Sequence, residues 1–442
     1  MTPNPARAWP FLLTLCGLVA LAATRSSADE IPADPPPRWW KGNIHTHSLW
    51  SDGNDFPEMI SEWYRTRDYQ FLAISDHNVL AEGERWMKHD EVLRRAGEEG
   101  WQKYLARFGR DWVETRGDAA GGTLEVRLKP FDEYRALLEE RGAFLLIPSE
   151  EISDSVGGAP VHLNATNIAD VVLPLGGMTV REAIENNIRA VEDQARRRGR
   201  EIIVHLNHPN FHYAITAEDL ALVVSERFFE VYNGHPGVNH QGDDEHPGVE
   251  RLWDIANAIR LGQLEAAPLW GVATDDTHDY HHHGEGQSAR PGRGWIVVRA
   301  RHLTPESLIR AMRRGDFYAS SGVVLGDVRY DAEGAVLEVE IQPDGDAVYT
   351  TQFIGTLAGE AADSTQPRGE EGGDAPAADV PEIGQVLAEV AGLHASYRLT
   401  GKELYVRAVV TSSLPHVDPS FDGQRRQAWT QPVGWEKRVA TP

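Results

Sequence analysis

The sequence has almost no cysteine and a shortage of positive charge, and both limit what the protein can do. Its 442 residues include one cysteine, Cys16. A chain with one cysteine forms no internal disulfide and no multi-thiolate site, so any metal would need nitrogen and oxygen ligands. Lysine and arginine number 43 against 67 acidic residues, for a formal net charge of -24. This charge repels phosphate backbones, so we expect no nucleic-acid partner.

Only one long apolar run occurs, and it lies near the N-terminus. Arg7 precedes the apolar stretch 11–23, and 26–28 (Ser-Ser-Ala) offers the small residues typical of a cleavage site. This pattern predicts a signal peptide over 1–28, with a retained anchor as the alternative. We therefore expect an exported protein, periplasmic or secreted, with no stable membrane span after cleavage.

After a proline-rich leader over 29–38, short apolar runs alternate with helix-like stretches. This alternation predicts parallel strands, in either a barrel or a doubly wound sheet. Strands are expected at 43–49, 70–75, 143–148, 161–165, 201–206, 228–232, 269–274 and 294–299. The clearest helices are expected at 57–67, 181–198, 249–261 and 305–314.

Two stretches depart from this alternation. Residues 79–141 are charged and helix-prone, and they predict a helical insertion beside the site. Over 327–356 and 403–432, apolar and polar residues alternate as they do in half-buried antiparallel strands, which predicts a small sandwich-like β domain over 326–442. Within it, 359–384 is rich in glycine, alanine, proline and acidic residues, and it predicts a disordered acidic loop.

The strongest chemical signal is the pair His45 and His47 in the first predicted strand. Side chains two residues apart on a strand face the same side, so both imidazoles can contact one ion. Asp52 adds a carboxylate in the loop that follows.

Similar residues recur at later predicted strands, mostly at their ends, which is where α/β barrels place active sites. These residues are Asp76, His77, Glu150, Glu151, His162, His205, His208, Asp275, Asp276 and His278. Any one of them could be ordinary polar packing, but the set is typical of a metal centre. Imidazole and carboxylate without thiolate suit zinc, manganese or iron.

The order of these motifs resembles the PHP (polymerase and histidinol phosphatase) superfamily of metallohydrolases, over about residues 40–325. Segments 314–322 and 428–432 resemble its exported CehA/McbA-like branch. The resemblance implies an α/β fold, with a distorted (β/α)7 barrel of PHP type over 39–325 and a small all-β sandwich-like domain over 326–442. It also implies two or three divalent metal ions (zinc, manganese or iron).

The resemblance further implies a ligand set. It assigns the first ion to His45, His47, Glu151 and Asp276. It assigns the second to Glu151, His162 and His208, and the third to Asp52, His77 and His278. Glu150 stays open as an alternative to Glu151, and Asp275 as an alternative to Asp276.

Other residues are candidates for supporting roles. His205 is either a proton shuttle, a partner of a ligand or a buried structural histidine, and Asp76 is expected to orient His77. Asn233, His235 and Arg293 are candidates for substrate contact. The histidine run 281–283 is interpreted as a solvated loop.

The sequence therefore predicts an exported metal-dependent hydrolase that acts on the ester bond of a small molecule. A phosphoesterase with a metal-activated hydroxide is the main hypothesis. One alternative is hydrolysis of a carboxylic ester or carbamate at the same metal site. An alternative of another class is a metal-stabilised binding module.

Overall fold

The computed structural model describes Met1 and residues 34–281, 288–359 and 383–439. The predicted signal peptide after Met1, residues 29–33 of the predicted leader and most of the predicted acidic loop fall outside this part of the chain. So do His282 and His283. From Pro36 onward the described residues belong to one compact unit. Among them, no helix combines the length and the apolar character needed to cross a membrane.

The described elements are short strands and helices in a mixed α/β order. The strands are β1 (Arg38–Asn43), β2 (Phe71–Leu72), β3 (Arg85–Lys88), β4 (Thr115–Arg116), β5 (Glu125–Leu128), β6 (Leu145–Leu146), β7 (Ser149–Val156), β8 (Ala159–Thr166), β9 (Ile203–Leu206), β10 (Phe228–Asn233), β11 (Trp270–Thr274), β12 (Trp295–Ala300), β13 (Phe317–Ser320), β14 (Leu325–Asp331), β15 (Val336–Ile341), β16 (Tyr349–Leu357), β17 (Gln385–Ala391), β18 (His394–Arg398), β19 (Glu403–Pro415) and β20 (Arg425–Thr430). The helices are α1 (Pro57–Arg65), α2 (His89–Phe108), α3 (Phe131–Leu138), α4 (Val180–Arg198), α5 (Ala217–Leu222), α6 (Val249–Gly262) and α7 (Pro305–Met312).

Most predicted strands and the four clearest helices have counterparts whose ends differ by a few residues. The first strand is an exception, because β1 ends at Asn43, before the histidine pair. His45 and His47 lie in extended chain just beyond it, where a bridge joins Thr46 to Thr277. β7 was not predicted at all, because 149–156 (Ser-Glu-Glu-Ile-Ser-Asp-Ser-Val) has few of the apolar residues that mark a buried strand.

Two large sheets contain most of the described strands. One has nine strands in the order β17-β16-β19-β20-β13-β12-β1-β2-β6, and the other has five in the order β11-β10-β9-β8-β7. Neither sheet closes on itself in the described chain, so the structure does not show the expected distorted (β/α)7 barrel. The regular parallel repeat is interrupted because β8 runs antiparallel to both β7 and β9.

Two isolated bridges connect these sheets beside the histidine pair. Thr46, after β1, pairs with Thr277, after β11. His77, after β2, pairs with Glu151 on β7. Both edges of the five-stranded sheet are therefore tied to the strands that precede His45 and His77.

The two other stretches singled out in the sequence also contain strands. Residues 79–141 hold α2, α3 and the three-stranded sheet β3-β5-β4, so this segment is not purely helical. β14, β15 and β18 form a further small sheet, while β20 continues the nine-stranded sheet by pairing with β13. The predicted domain boundaries at 325 and 326 stay a prediction.

Candidate metal centre

Four groups of histidine and acidic side chains converge at the junction of the two large sheets. Within each group, one ligand atom per residue lies within 4.8 Å of the others. The groups are His47, Asp52, His77 and His278; His45, His205 and Glu230; His45, His47 and Glu151; and His77, Glu151 and His162. Because Glu151 and both histidines of the pair are shared between groups, the arrangement is one continuous cluster.

The deepest position is enclosed by His45, His47, Glu151 and Asp276. Asp276 Oδ1 lies 3.2 Å from Nε2 of His45 and 3.2 Å from Nε2 of His47. The Glu151 carboxylate lies 3.5 Å from His45 Nε2 and 3.4 Å from His47 Nε2. All four residues are buried. Two nitrogens and two carboxylates therefore face one point.

The second position adjoins the first through Glu151. Its Oε1 lies 3.0 Å from Nδ1 of His162 on β8 and 3.5 Å from Nε2 of His208. Asn207 also donates a hydrogen bond to this oxygen at 2.7 Å. The carboxylate therefore lies between two sets of nitrogens, as a bridging ligand must.

The third position opens towards solvent. The Asp52 carboxylate lies 3.4 Å from Nε2 of His77 and 3.4 Å from Nε2 of His278, and its side chain is 56% exposed. The rings of His77 and His278 both stack against His47, with centroids 4.4 and 4.2 Å from it. Gly53 allows this loop to pass close to the pair, because a Cβ there would lie 2.3 Å from the His47 carbonyl oxygen.

The interior of the cluster contains a polar atom that no described group satisfies. Nε2 of His45 is buried and has no partner in hydrogen-bond geometry among the described residues. Burying such lone pairs costs free energy unless a donor or a cation meets them. Clustered imidazoles and carboxylates, without thiolate, match the preferences of zinc, manganese and iron. The residues present therefore fit divalent ions.

Mutual attraction keeps the acids of the cluster ionised. Burial opposes the charge on Glu151, but His77, His45 and His162 hold its pKa well below the usual range. The pKa of Asp276 is also held well below its usual range, because His45 and other histidines outweigh burial. Burial and the neighbouring His278 and His77 lower the pKa of His47 to about 4, which leaves that imidazole neutral. Metal binding requires ionised carboxylates and neutral imidazoles, so His45 and His77, whose pKa values the neighbouring carboxylates raise despite burial, would each lose a proton on binding an ion.

The sequence left two choices of ligand open, Glu150 or Glu151 and Asp275 or Asp276, and the geometry decides both. Glu150 points away from the cluster and accepts a hydrogen bond from the Val172 N–H at 2.6 Å. Asp275 accepts from the N–H groups of Arg293 at 2.7 Å and Gly294 at 2.8 Å. Glu151 and Asp276 are the members that face the histidines.

Asp76 does not orient His77 as expected. Its carboxylate accepts hydrogen bonds from Ser48 N at 2.8 Å, Ser48 Oγ at 2.6 Å and Ser51 Oγ at 2.6 Å. His77 instead places Nδ1 against Ser153 Oγ at 2.5 Å. Asp76 therefore fixes the loop that leads from the histidine pair to the third position.

The substrate-contact candidates are placed differently from one another. Arg293 is buried and paired with Asp418 at 3.0 Å, and it donates to two backbone carbonyls, so its charge is already neutralised. Asn233 donates to Asp276 Oδ2 at 3.1 Å, which makes it a partner of a candidate ligand. His235 is half-buried beside His278, with ring centroids 5.8 Å apart. Of the three, only His235 lies at the rim of the cluster, and its Nε2 forms no hydrogen bond with any residue that the structure describes.

Two further histidines have defined positions. His205 is fully buried on β9, with Nε2 3.4 Å from Oε1 of Glu230. His281 lies against Asp55, with Nε2 3.1 Å from Oδ2, and the rest of the histidine run falls outside the described residues.

Sequence reasoning missed Glu230. It lies on β10, whose six residues are all buried, and its carboxylate contacts His45 Nδ1 at 2.7 Å. A charged residue within the apolar run Phe-Phe-Glu-Val-Tyr was the available signal, because buried carboxylates rarely occur without partners.

The cluster is of the kind that metal-dependent hydrolases use: several buried acids and imidazoles, one of the carboxylates shared between two groups, and an opening to solvent. No protein-family model matches the chain, and no curated protein matches it. Similarity was found among solved structures.

One similar structure is a two-domain protein from Bacteroides vulgatus, described as containing a predicted PHP-like metal-dependent phosphoesterase. It is 15% identical, the match covers 74% of this chain and 82% of that one, and the TM-score is 0.37. A proposed metal-dependent phosphoesterase from Bifidobacterium adolescentis is also 15% identical, with 59% and 94% covered and a TM-score of 0.28. PsfC from Pseudomonas syringae is 10% identical, with 62% and 88% covered and a TM-score of 0.32. At these values the similarity says nothing about single side chains, and the ligand assignment depends on the geometry above.

Proposed function

We propose that this protein is a metal-dependent phosphoesterase of PHP type, acting on a small-molecule substrate. The observation that carries the proposal is the continuous cluster around Glu151, in which histidines and acids form four overlapping groups with ligand atoms within 4.8 Å of one another. We also propose that the two large sheets, joined by the bridges at Thr46 and His77, form the distorted barrel of that family.

The ligand roles follow the three positions. His45, His47, Glu151 and Asp276 hold the first ion, and Glu151, His162 and His208 hold the second. Asp52, His77 and His278 hold the third. Bound ions supply Lewis acidity, which activates a water near neutral pH and neutralises charge on the substrate oxygens.

Charge favours a phosphoester over a carboxylic ester. A phosphate group carries negative charge that adjacent cations stabilise, and phosphoryl transfer depends mainly on such positioning and charge neutralisation. A neutral carboxylic ester needs only one polarising centre. The alternative, a carboxylic ester or carbamate hydrolase, uses the same ligands and differs in which substrate is turned over.

His235 is the chain's own candidate for a substrate contact. Its Nδ1 accepts a hydrogen bond from the Gly237 N–H at 3.0 Å, so the proton of the neutral ring is on Nε2. Burial lowers the pKa of His235, which favours that neutral form. We propose that this N–H donates to an oxygen of the substrate at the rim of the cluster.

We propose export as well, on the basis of the charged and apolar pattern over 1–28. The acidic surface of the chain is compatible with a soluble periplasmic or secreted enzyme.

The test is a comparison of three substrates: p-nitrophenyl phosphate, bis-p-nitrophenyl phosphate and p-nitrophenyl acetate. The full chain, reconstituted with zinc or manganese, should turn over at least one phosphoester. His45→Ala/Asp276→Ala should abolish that turnover. Glu226→Gln is the matched control, because Glu226 is also fully buried but lies outside the cluster. Turnover of the acetate alone would identify the carboxylic ester alternative, while bound metal without turnover of any ester would favour the binding module.

A further inference from the structure

Glu230 holds four hydrogen-bond donors on its two carboxylate oxygens. Oε1 accepts from His45 Nδ1 at 2.7 Å and from Thr274 Oγ1 at 2.6 Å. Oε2 accepts from the His208 N–H at 2.8 Å and from Asn233 Nδ2 at 2.7 Å. A carboxylate offers about four lone-pair sites. Glu230 therefore has every site occupied and none left for a cation.

The bond to His45 determines which nitrogen of that ring can bind a metal. With the proton on Nδ1 and directed at Glu230, the lone pair is on Nε2. Nε2 is the atom that lies 3.2 Å from Asp276 and 3.5 Å from Glu151. A ligating histidine is commonly oriented by a carboxylate on its other nitrogen, which also makes it a stronger ligand.

Glu230 also supports two residues whose backbones are strained. His208 has φ of 25° and Asp276 has φ of 49°, both in the left-handed region that a side chain disfavours. Such conformations cost free energy and persist where the surroundings fix them. Glu230 binds the His208 N–H directly, and Asn233 spans from Glu230 to Asp276 Oδ2 at 3.1 Å.

We propose that Glu230 is the positioning residue that sets the ligand geometry of the first two metal positions. It orients His45 and Asp276 for the first and His208 for the second, through one buried carboxylate. The inference rests on the proposed metal centre, but it requires no particular substrate.

The competing interpretation is a fourth metal position formed by His45, His205 and Glu230, whose ligand atoms lie within 4.8 Å of one another. That position would require Glu230 Oε1 to lose its hydrogen bonds from Thr274 Oγ1 at 2.6 Å and from His45 Nδ1 at 2.7 Å. It would also require His45 to bind a cation through each nitrogen, with loss of its remaining proton. Four satisfied hydrogen bonds favour the positioning role.

The test is Glu230→Gln in the full chain. Glutamine keeps the size of the side chain, but its amide nitrogen meets donors where the carboxylate had accepted them. Zinc affinity, measured by competition with a chromophoric chelator, should fall about 10- to 100-fold. Glu226→Gln, a buried glutamate four positions earlier in the chain, should leave zinc affinity unchanged.

Nitrogen-15 NMR of histidine in the zinc-loaded protein reports which ring nitrogen carries the proton. A general loss of stability does not change this property. In the wild type, His45 should carry its proton on Nδ1, and Glu230→Gln should broaden or shift that signal. If Glu230→Gln fails to fold, Thr274→Val removes one donor from Oε1 at nearly constant volume and should shift the same signal.

A His45 proton on Nε2 in the wild type would overturn the inference, and so would unchanged zinc affinity in Glu230→Gln. Loss of one whole ion at normal affinity for the others would identify the fourth metal position instead. A wild type that binds ions but hydrolyses no ester would refute the proposed function and leave this inference standing.

Discussion

Glu150 and Glu151 are adjacent in β7, yet their carboxylates lie on opposite faces of the strand. Glu151 faces the histidines, with Oε2 2.7 Å from His77 Nδ1, while Glu150 accepts from the Val172 N–H at 2.6 Å. Strand geometry requires this separation, because successive side chains alternate between faces.

This pair predicts contrasting effects of the same substitution. Glu151→Gln should remove the shared carboxylate of two metal positions, and we expect metal content and hydrolysis to be lost together. Glu150→Gln should retain both, since its side chain does not reach the cluster. Metal analysis and an ester assay on the two variants would check this, and equal losses in both would contradict the assigned faces.

Substitution of Asp275 should mainly lower stability, whereas substitution of the adjacent Asp276 should mainly lower metal binding. Asp275 accepts hydrogen bonds from Tyr64 Oη at 2.7 Å and from backbone N–H groups after 291, so it anchors the loop before β12. Asp275→Asn should reduce the free energy of unfolding by about 1–3 kcal/mol, the cost of unsatisfied buried donors. Asp276→Asn should instead lower metal content with a smaller effect on the metal-free protein. Urea unfolding of metal-free protein, combined with metal analysis, distinguishes the two.

A buried ion pair ties the C-terminal strands to α6. Arg407 on β19 donates to Asp254 at 2.8 and 2.9 Å, and Tyr405 Oη donates to the same carboxylate at 2.7 Å. Arg407→Leu leaves a buried carboxylate without its counter-charge, which typically costs about 3–5 kcal/mol. We expect the double variant Arg407→Leu/Asp254→Leu to recover much of that loss. A double variant no more stable than the single one would show that packing, not charge, dominates this contact.

Glu226 predicts a pH dependence of stability. Burial raises the pKa of Glu226 from 4.5 to about 8, so the native state keeps a proton that the unfolded chain releases between these values. Stability from this group is therefore complete below pH 4.5 and falls by at most about 1.4 kcal/mol per pH unit up to about pH 8. Glu226→Gln should flatten that part of the stability curve. An unchanged slope, measured by urea unfolding from pH 5 to 9, would show that Glu226 is ionised in the native state.

Much of the fold was predictable because burial leaves a clear pattern. Strands β10 and β11 are buried throughout and appear as apolar runs, which sequence analysis located within a residue or so. The reversal of β8 was not predictable, because an antiparallel strand beside parallel ones has no distinct composition. The long pairing of β7 with β8 depends on tertiary contacts that a polar segment does not reveal.

The candidate ligands were predictable for a similar reason. Histidine and acid at strand ends, with fixed spacing such as His45 and His47, mark a site even before the fold is known. Glu230 was not recognised, because its function depends on His45, which is 185 positions away in the chain. Arg293 was assigned a substrate contact from its charge alone, while its actual partner Asp418 is 125 positions away.

The assigned ligand roles and the proposed hydrolysis both depend on metal binding by the cluster around Glu151. The most direct test is inductively coupled plasma mass spectrometry of the full chain after reconstitution with zinc or manganese, with His45→Ala/Asp276→Ala measured in parallel. We predict more than one ion per chain in the wild type and the loss of at least one in the variant. Fewer than one ion per wild-type chain, or equal metal content in the two proteins, would show that these residues do not form a metal centre.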